Sequence, residues 1–559
     1  MIIHYRKFQW IFVYGSFFLF SGCLPSGERT IYTQLPIGKV SDGNDDENVI
    51  GIPSAEDDTT EYLFVRTEKP ENVDISDEFS PFFSNNRIIR QDIIELTSVD
   101  NEAVPFIRYL TLDHLDYLNY ETEDDWYSYK SAMLNSLSII VNSLSTSSEI
   151  VLPTPIDPSW SVLRIDLRDY GWSQEQWEEI IFGQIDDPNK KPYPFHLNFD
   201  PAIVDISALT KTEVPVVRAD WFTHEILKQN NYHRLANIPE ALFLLERSLN
   251  VDRVNNIIRS IEQPGANLAA RIGIAKGKSK VSVNNRLLER HETNFGAFWL
   301  SYDFDAAVNQ GKDFFESPIG PGPEVDFTFN SLGAFVPDGG EMIWHKPNGL
   351  LGFMLVEQTG ERIDSAPTSI VFDPTARENQ GVLDNGRSCF KCHALGFVEV
   401  DDQVRPFFDS NQSEQASAEI LRAVQSVHPE SDKMNDLFKQ DNATYRAALN
   451  KAKMVPIDTS RVLQLSDLYE LNKGHDQVAG MFNLTGEQLK KKVETLPQDL
   501  RSRFSDLSLY PMPQDEIEER YADIILQLFG FQQKILENRF EPEPDGNNQD
   551  NDEIIVIPI

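Results

Sequence analysis

The chain has 559 residues, with 88 acidic and 50 basic side chains and a formal charge of −38. So acidic a chain is a poor partner for nucleic acid or anionic lipid. Its 40% apolar and 11% aromatic content is ample for a packed core, which excludes a wholly disordered protein, and its length predicts several domains or one large composite.

Residues 1–23 read as an export signal. His4, Arg6 and Lys7 precede a short apolar run from Phe8 to Phe20 that is too short to span a bilayer and ends in small residues. Leu19-Phe20-Ser21-Gly22-Cys23 resembles a bacterial lipobox, with Phe20 standing where Leu is usual. On this reading Cys23 is lipidated, and the mature protein is anchored by its acyl chains to a membrane facing the periplasm or cell surface. An ordinary signal peptide with an incidental cysteine is the alternative. Residues 41–80 then hold thirteen acids and two bases, so 24–88 are expected to be an acidic disordered tether, with the body starting near Ile88.

An N-terminal α+β region is expected over 89–310. Leu134, Leu137, Val141 and Leu144 predict an amphipathic helix between Glu123 and Ser145. Ser161 to Tyr170 alternates as a strand does, and 238–262 returns to helical spacing. A haem domain is expected over 311–540. Its first clear elements lie between Gly340 and Val371, where Asn348-Gly349 predicts a hairpin turn and Thr359-Gly360 a second. Ser413–Val427, Asp432–Lys453 and Gln514–Leu536 carry apolar residues at helical spacing, and Thr485-Gly486-Glu487-Gln488 has the form of a capping box. Residues 541–559, with six acids and no base, read as an acidic tail. The fold class expected is α+β, mostly helical, with β hairpins just before residue 389 and a helical C-terminal portion.

The chemistry centres on Cys389-Phe390-Lys391-Cys392-His393. C-x-x-C-H is the attachment signature of a c-type haem: two thiols form thioethers with one porphyrin, and the adjacent imidazole ligates iron from one side. This predicts one covalent haem c held by Cys389 and Cys392, with His393 as proximal ligand. A zinc site lacks its further cysteines, since the chain has only three. A redox dithiol lacks an evident βαβ setting. His224-Glu225 begins like a zincin helix, but Lys228 stands where the second histidine belongs. Haem attachment outside the cytoplasmic membrane agrees with the export signal.

Several longer runs carry a resemblance. They are R-Y-L-T-L-D-H-L (108–115), L-R-I-D-L-R-D-Y-G-W (163–172), V-R-A-D-W-F (217–222), N-N-R-L-L-E-R-H (284–291), S-Y-D-F (301–304) and the hairpin stretch 347–371, followed by G-R-S-C-F-K-C-H-A-L-G (386–396). In this order they resemble a family of large exported bacterial proteins with a single c-type haem domain. The resemblance covers roughly 105–490 and implies haem binding and electron transfer, with no particular substrate.

The sixth iron ligand separates an electron carrier from an enzyme or sensor. His291 is the first candidate, followed by Met354, Met454 and His114; Met342 and Met434 are further methionines near the motif. Each such residue is more often core than ligand. Arg387 could meet a haem propionate or stand in solvent. The expected function is a membrane-anchored c-type cytochrome transferring electrons to a partner the sequence does not identify. The alternatives are a haem-dependent oxidoreductase or peroxidase, and a haem-based sensor or scaffold.

Overall fold

A computed structural model describes residues 80–529 apart from 184–190, 197–200, 264, 276–277, 279–281, 283, 305–314, 316–317, 321–336, 374–379, 411–416 and 458–461, together with 531–532 and 557–558. The signal segment, Cys23 and residues 541–556 lie outside the described residues. So does the expected tether up to residue 79. Helix makes up 49% and strand 16%, so the fold is α+β and predominantly helical.

Helix α1 (Ser80–Val99) spans Ile88 and buries Ile89 and Ile93. Four strands, β1 (Ile107–Thr111), β2 (Thr154–Pro155), β3 (Val162–Asp166) and β4 (Val216–Arg218), form a sheet ordered β2-β3-β1-β4. Alternation divides its side chains between two faces. Leu110, Leu163 and Ile165 join the main core, which includes helix α2 (Glu123–Leu144). Ile107, Tyr109 and Val162 pack with Ile89, Ile93, Ile203 and Ile206. The strand expected over 161–170 ends at Asp166, whose carboxylate accepts from the Arg168 N–H and starts a single turn of 3-10 helix closed by Gly171 at φ 69°.

Further helices follow: α3 (Gln174–Phe182), α4 (Pro201–Thr210), α5 (Ala219–Ile226), α6 (Gln229–Leu235), α7 (Leu242–Ser248) and α8 (Arg253–Glu262). The periodicity of 238–262 is thus divided between two helices. Asn250 takes a left-handed φ of 56°, and Asp252 caps α8 by accepting from the Asn255 N–H.

The second sheet is antiparallel and six-stranded: β5 (Ala269–Ile274), β6 (Arg286–Thr293), β7 (Gly296–Asp303), β8 (Gly339–His345), β9 (Leu351–Glu357) and β10 (Arg362–Ile363), each beside the next. It straddles residue 310, where the sequence suggested a division. Asn348-Gly349 makes the expected hairpin, with Gly349 at φ 82° and a Gly349 N–H to Lys346 carbonyl bond of 2.8 Å. Gly360, at φ 83°, makes the second turn. A short pair, β11 (Ser365–Ala366) and β12 (Leu383–Asp384), leads into α9 (Arg387–Cys392).

The remaining helices are α10 (Val404–Asp409), α11 (Ala418–Val427), α12 (Ser431–Lys451), α13 (Gln464–Glu470), α14 (His475–Met481), α15 (Gly486–Val493), α16 (Gln498–Ser505) and α17 (Gln514–Phe529). The capping box at Thr485 and Gln488 is formed in both directions. One core cluster runs from Leu110 to Leu528 through both sheets and these helices. Among the described residues, no helix is long and apolar enough to cross a membrane.

Candidate haem site

The short helix α9 is set against the second sheet by its own sequence. Gly386 precedes it at φ 85° and ψ −81°, a conformation suited to glycine, and a Cβ there would lie 2.8 Å from the Tyr232 ring. Phe390 packs edge-on against Phe353 of β9 at 4.9 Å and against Tyr232 at 5.9 Å. The Tyr232 hydroxyl in turn donates to the Phe353 carbonyl and accepts from the Phe353 N–H, both at 2.9 Å. The Arg387 guanidinium donates to Asp467 at 3.1 Å and pairs with Glu470, so it faces α13 rather than open solvent.

These contacts leave Cys389, Cys392 and His393 on the wall of a cavity of about 230 Å³ between α9 and the sheet. Its apolar lining includes Leu288, Trp299, Ile343, Leu355, Phe397 and Phe438, a surface suited to a flat macrocycle. The His393 Nδ1 faces the Gly396 carbonyl at 3.1 Å. With the proton on Nδ1 the ring donates to that carbonyl, leaving Nε2 with a free lone pair, the arrangement a metal-ligating histidine needs. The loop carrying Gly396 is held from α12. Phe397 donates its N–H to Asn442 Oδ1 at 2.7 Å, and Asn442 Nδ2 donates back to the Phe397 carbonyl at 3.1 Å. Two thiols and one imidazole nitrogen on one wall of a mainly apolar cavity are the donor set that a covalent haem would need. Cys389 is buried, and that burial, followed by the nearby Glu341 carboxylate, pushes its thiol well up. A redox dithiol requires the opposite shift. Among the described residues, no three His, Cys, Asp or Glu side chains converge as a metal cluster.

Strand alternation decides where the other candidate residues stand. On β6, Arg286 and Leu288 line the cavity, so His291 projects from the opposite face. There it is fully buried, with Nε2 2.8 Å from Glu289 Oε1 and Nδ1 3.3 Å from Asn256 of α8. On β8, Glu341 and Ile343 line the cavity and Met342 does not. Met342 is paired in register with Met354 of β9, which is likewise buried and outside the cavity lining. Met454 is buried beside Val455, whose N–H donates to Asn135 of α2. His114 lies 3.6 Å from Asp220, and burial lowers its pKa to about 3, so the ring is neutral. Met434 is buried at the start of α12. The structure therefore brings together Cys389, Cys392 and His393, while His291, Met354, Met454 and His114 stand away from them.

The cavity instead contains a polar group absent from the sequence expectations. Arg286 Nε lies 2.7 Å from Asp303 Oδ1, and its Nη2 donates to Ser301 at 3.1 Å and Glu341 at 3.0 Å. Glu341 Oε1 lies 3.8 Å from His393 Nε2. Deeper in, the Trp299 indole donates to Asp441 at 2.8 Å, stacks on Phe438 at 4.8 Å, and shares Asp441 with both arms of Arg290. One signal could have found these residues. Ser301 and Asp303 alternate with Leu300 and Tyr302 on β7, and Glu341 directly precedes the apolar Met342, Ile343 and Trp344 on β8, but the sequence does not say which strand face meets the motif. Among known proteins, no family model, no curated protein and no solved structure matches this chain.

Proposed function

We propose that this is an exported, membrane-anchored c-type haem protein, with one haem attached through Cys389 and Cys392 and ligated by His393, that transfers electrons to a partner. The observation carrying this reading is the juxtaposition of both thiols with an imidazole whose Nδ1 faces the Gly396 carbonyl and whose Nε2 faces the cavity. When bound, haem supplies a reversible one-electron couple. The chain's residues do the rest. The apolar lining would pack against the bound ring, the Gly396 carbonyl, on a loop held by Asn442, would orient the imidazole, and a lipid anchor at Cys23 would hold the protein at a membrane surface.

The full chain, produced in cells with haem-attachment machinery and denatured, should retain one haem per polypeptide by mass and absorption. Cys389→Ala with Cys392→Ala should retain none. Wild-type protein recovered with reduced, intact cysteines and no haem overturns the reading. A second reading is a haem-dependent oxidoreductase or sensor in which small molecules reach the iron. It is favoured by the presence of Arg286 and Glu341 in the cavity, where the lining, among the described residues, includes no methionine and no histidine besides His393.

A further inference from the structure

Resting on the haem reading, we propose that the sixth coordination position is filled by the Glu341 carboxylate, braced by Arg286, giving an exchangeable oxygen ligand in place of sulfur or a second imidazole. Three observations converge on this assignment.

The first is distance. Glu341 Oε1 and His393 Nε2 are 3.8 Å apart, close to the span of two metal–ligand bonds of about 2 Å each placed opposite one another.

The second is rigidity. Glu341 sits within β8, paired in register with Leu355, and its N–H donates to Ser301 Oγ at 2.8 Å. Its other carboxylate oxygen accepts from Arg286 at 3.0 Å. That anchor leaves Oε1 as the oxygen nearer the imidazole, so the site is built on a strand rather than a mobile loop.

The third is the fate of the competitors. His291, Met342 and Met354 stand outside the cavity lining, and a strand cannot turn one side chain to its other face without shifting its whole register. Met454 and His114 are buried among other elements.

Charge agrees with the geometry. Among the lining residues, Asp303, Asp338, Glu341 and Glu357 outnumber Arg286 and Lys278, leaving the cavity net negative. A ferric iron within a dianionic porphyrin carries one net positive charge. The pocket therefore favours the ferric over the ferrous state, and removing the Glu341 charge raises the reduction potential. A carboxylate is a weak, exchangeable ligand for ferrous iron, so the ligands this site admits are small neutral molecules of the carbon monoxide, dioxygen or peroxide class.

The test uses the full-length, haem-loaded protein. A count of covalent haem by mass comes first: zero haem refutes the attachment reading, whatever Glu341 does. With haem present, the wild type should be high-spin in the ferric state by absorption and electron paramagnetic resonance, and should bind carbon monoxide when reduced. Glu341→His should convert the ferric spectrum to low-spin and weaken carbon monoxide binding by roughly tenfold or more. The near-isosteric Glu341→Gln should stay high-spin with a raised reduction potential, and serves where the histidine variant does not fold. A wild type that is low-spin and refractory to carbon monoxide overturns the assignment. Variants whose spectra and potential match the wild type also overturn it, pointing to water or to Lys278, exposed at the cavity rim.

Discussion

Asp441 offers the sharpest test of how the cavity is held together. Its carboxylate is almost completely buried and accepts from both arms of Arg290, each at 2.8 Å, and from the Trp299 indole at 2.8 Å. Asp441→Ala leaves the Arg290 guanidinium buried without its counter-ion, a change that costs about 3–5 kcal/mol. It also orphans the indole N–H, adding a cost on the order of 1 kcal/mol that overlaps the first. The expected loss is about 4 kcal/mol, a large share of the ~5–15 kcal/mol by which proteins are stable. With a denaturant slope of about 2–3 kcal/mol per molar, the urea midpoint should fall by roughly 1.5 M, followed by tryptophan fluorescence. Because α12 also carries Asn442, which holds the loop after His393, the variant should attach less haem per chain. Arg290→Met with Asp441→Leu removes both charges and should recover much of the lost stability. An Asp441→Ala midpoint within about 0.3 M of wild type, or a double variant no more stable than the single one, would refute the account of α12 as clamped through this pair.

Two other expectations follow from single buried groups. Lys346 donates to the Ser143 carbonyl at 2.6 Å near the end of α2, and burial lowers its pKa from 10.5 to about 7. Between those values the unfolded chain binds more protons than the folded one, so this group makes stability rise with pH across that window. Lys346→Met should therefore be most stabilising below pH 7, by at most about 5 kcal/mol less the lost hydrogen bond. The gain should fade towards pH 10, and pH-resolved unfolding with no such fading would contradict the burial argument. Gly386→Ala forces a side chain into a left-handed φ of 85° and against the Tyr232 ring, at a cost of about 2 kcal/mol. Its melting temperature and haem content should both fall, whereas an unchanged pair would show that the entry to α9 tolerates a Cβ.

Much of the local structure was legible in the sequence because it depends on neighbours along the chain. The hairpin at Asn348-Gly349 needs only a left-handed glycine between two apolar strands, and it forms. The box at Thr485 and Gln488 needs only a three-residue spacing, and it closes. The helix expected from Glu123 is present to Leu144. Where a local break competed with a periodic run, the break prevailed: Asn250 divides 238–262, and Asp166 with Gly171 ends the strand early.

The sequence by itself determined the C-x-x-C-H spacing of Cys389, Cys392 and His393 and the hairpin before it, since these are encoded within a few residues. Which groups share the space with His393 was decided only by tertiary structure. Alternation along β6 says that Arg286 and His291 face opposite ways, but which of them meets the motif depends on the side of the sheet against which Phe390 and α9 pack. That packing placed Glu341 3.8 Å from the His393 imidazole and left His291 beside Asn256 of α8, beyond the cavity wall. Spacing along a chain carries no record of which face a distant helix will cover, because that choice is made by burial across the whole core.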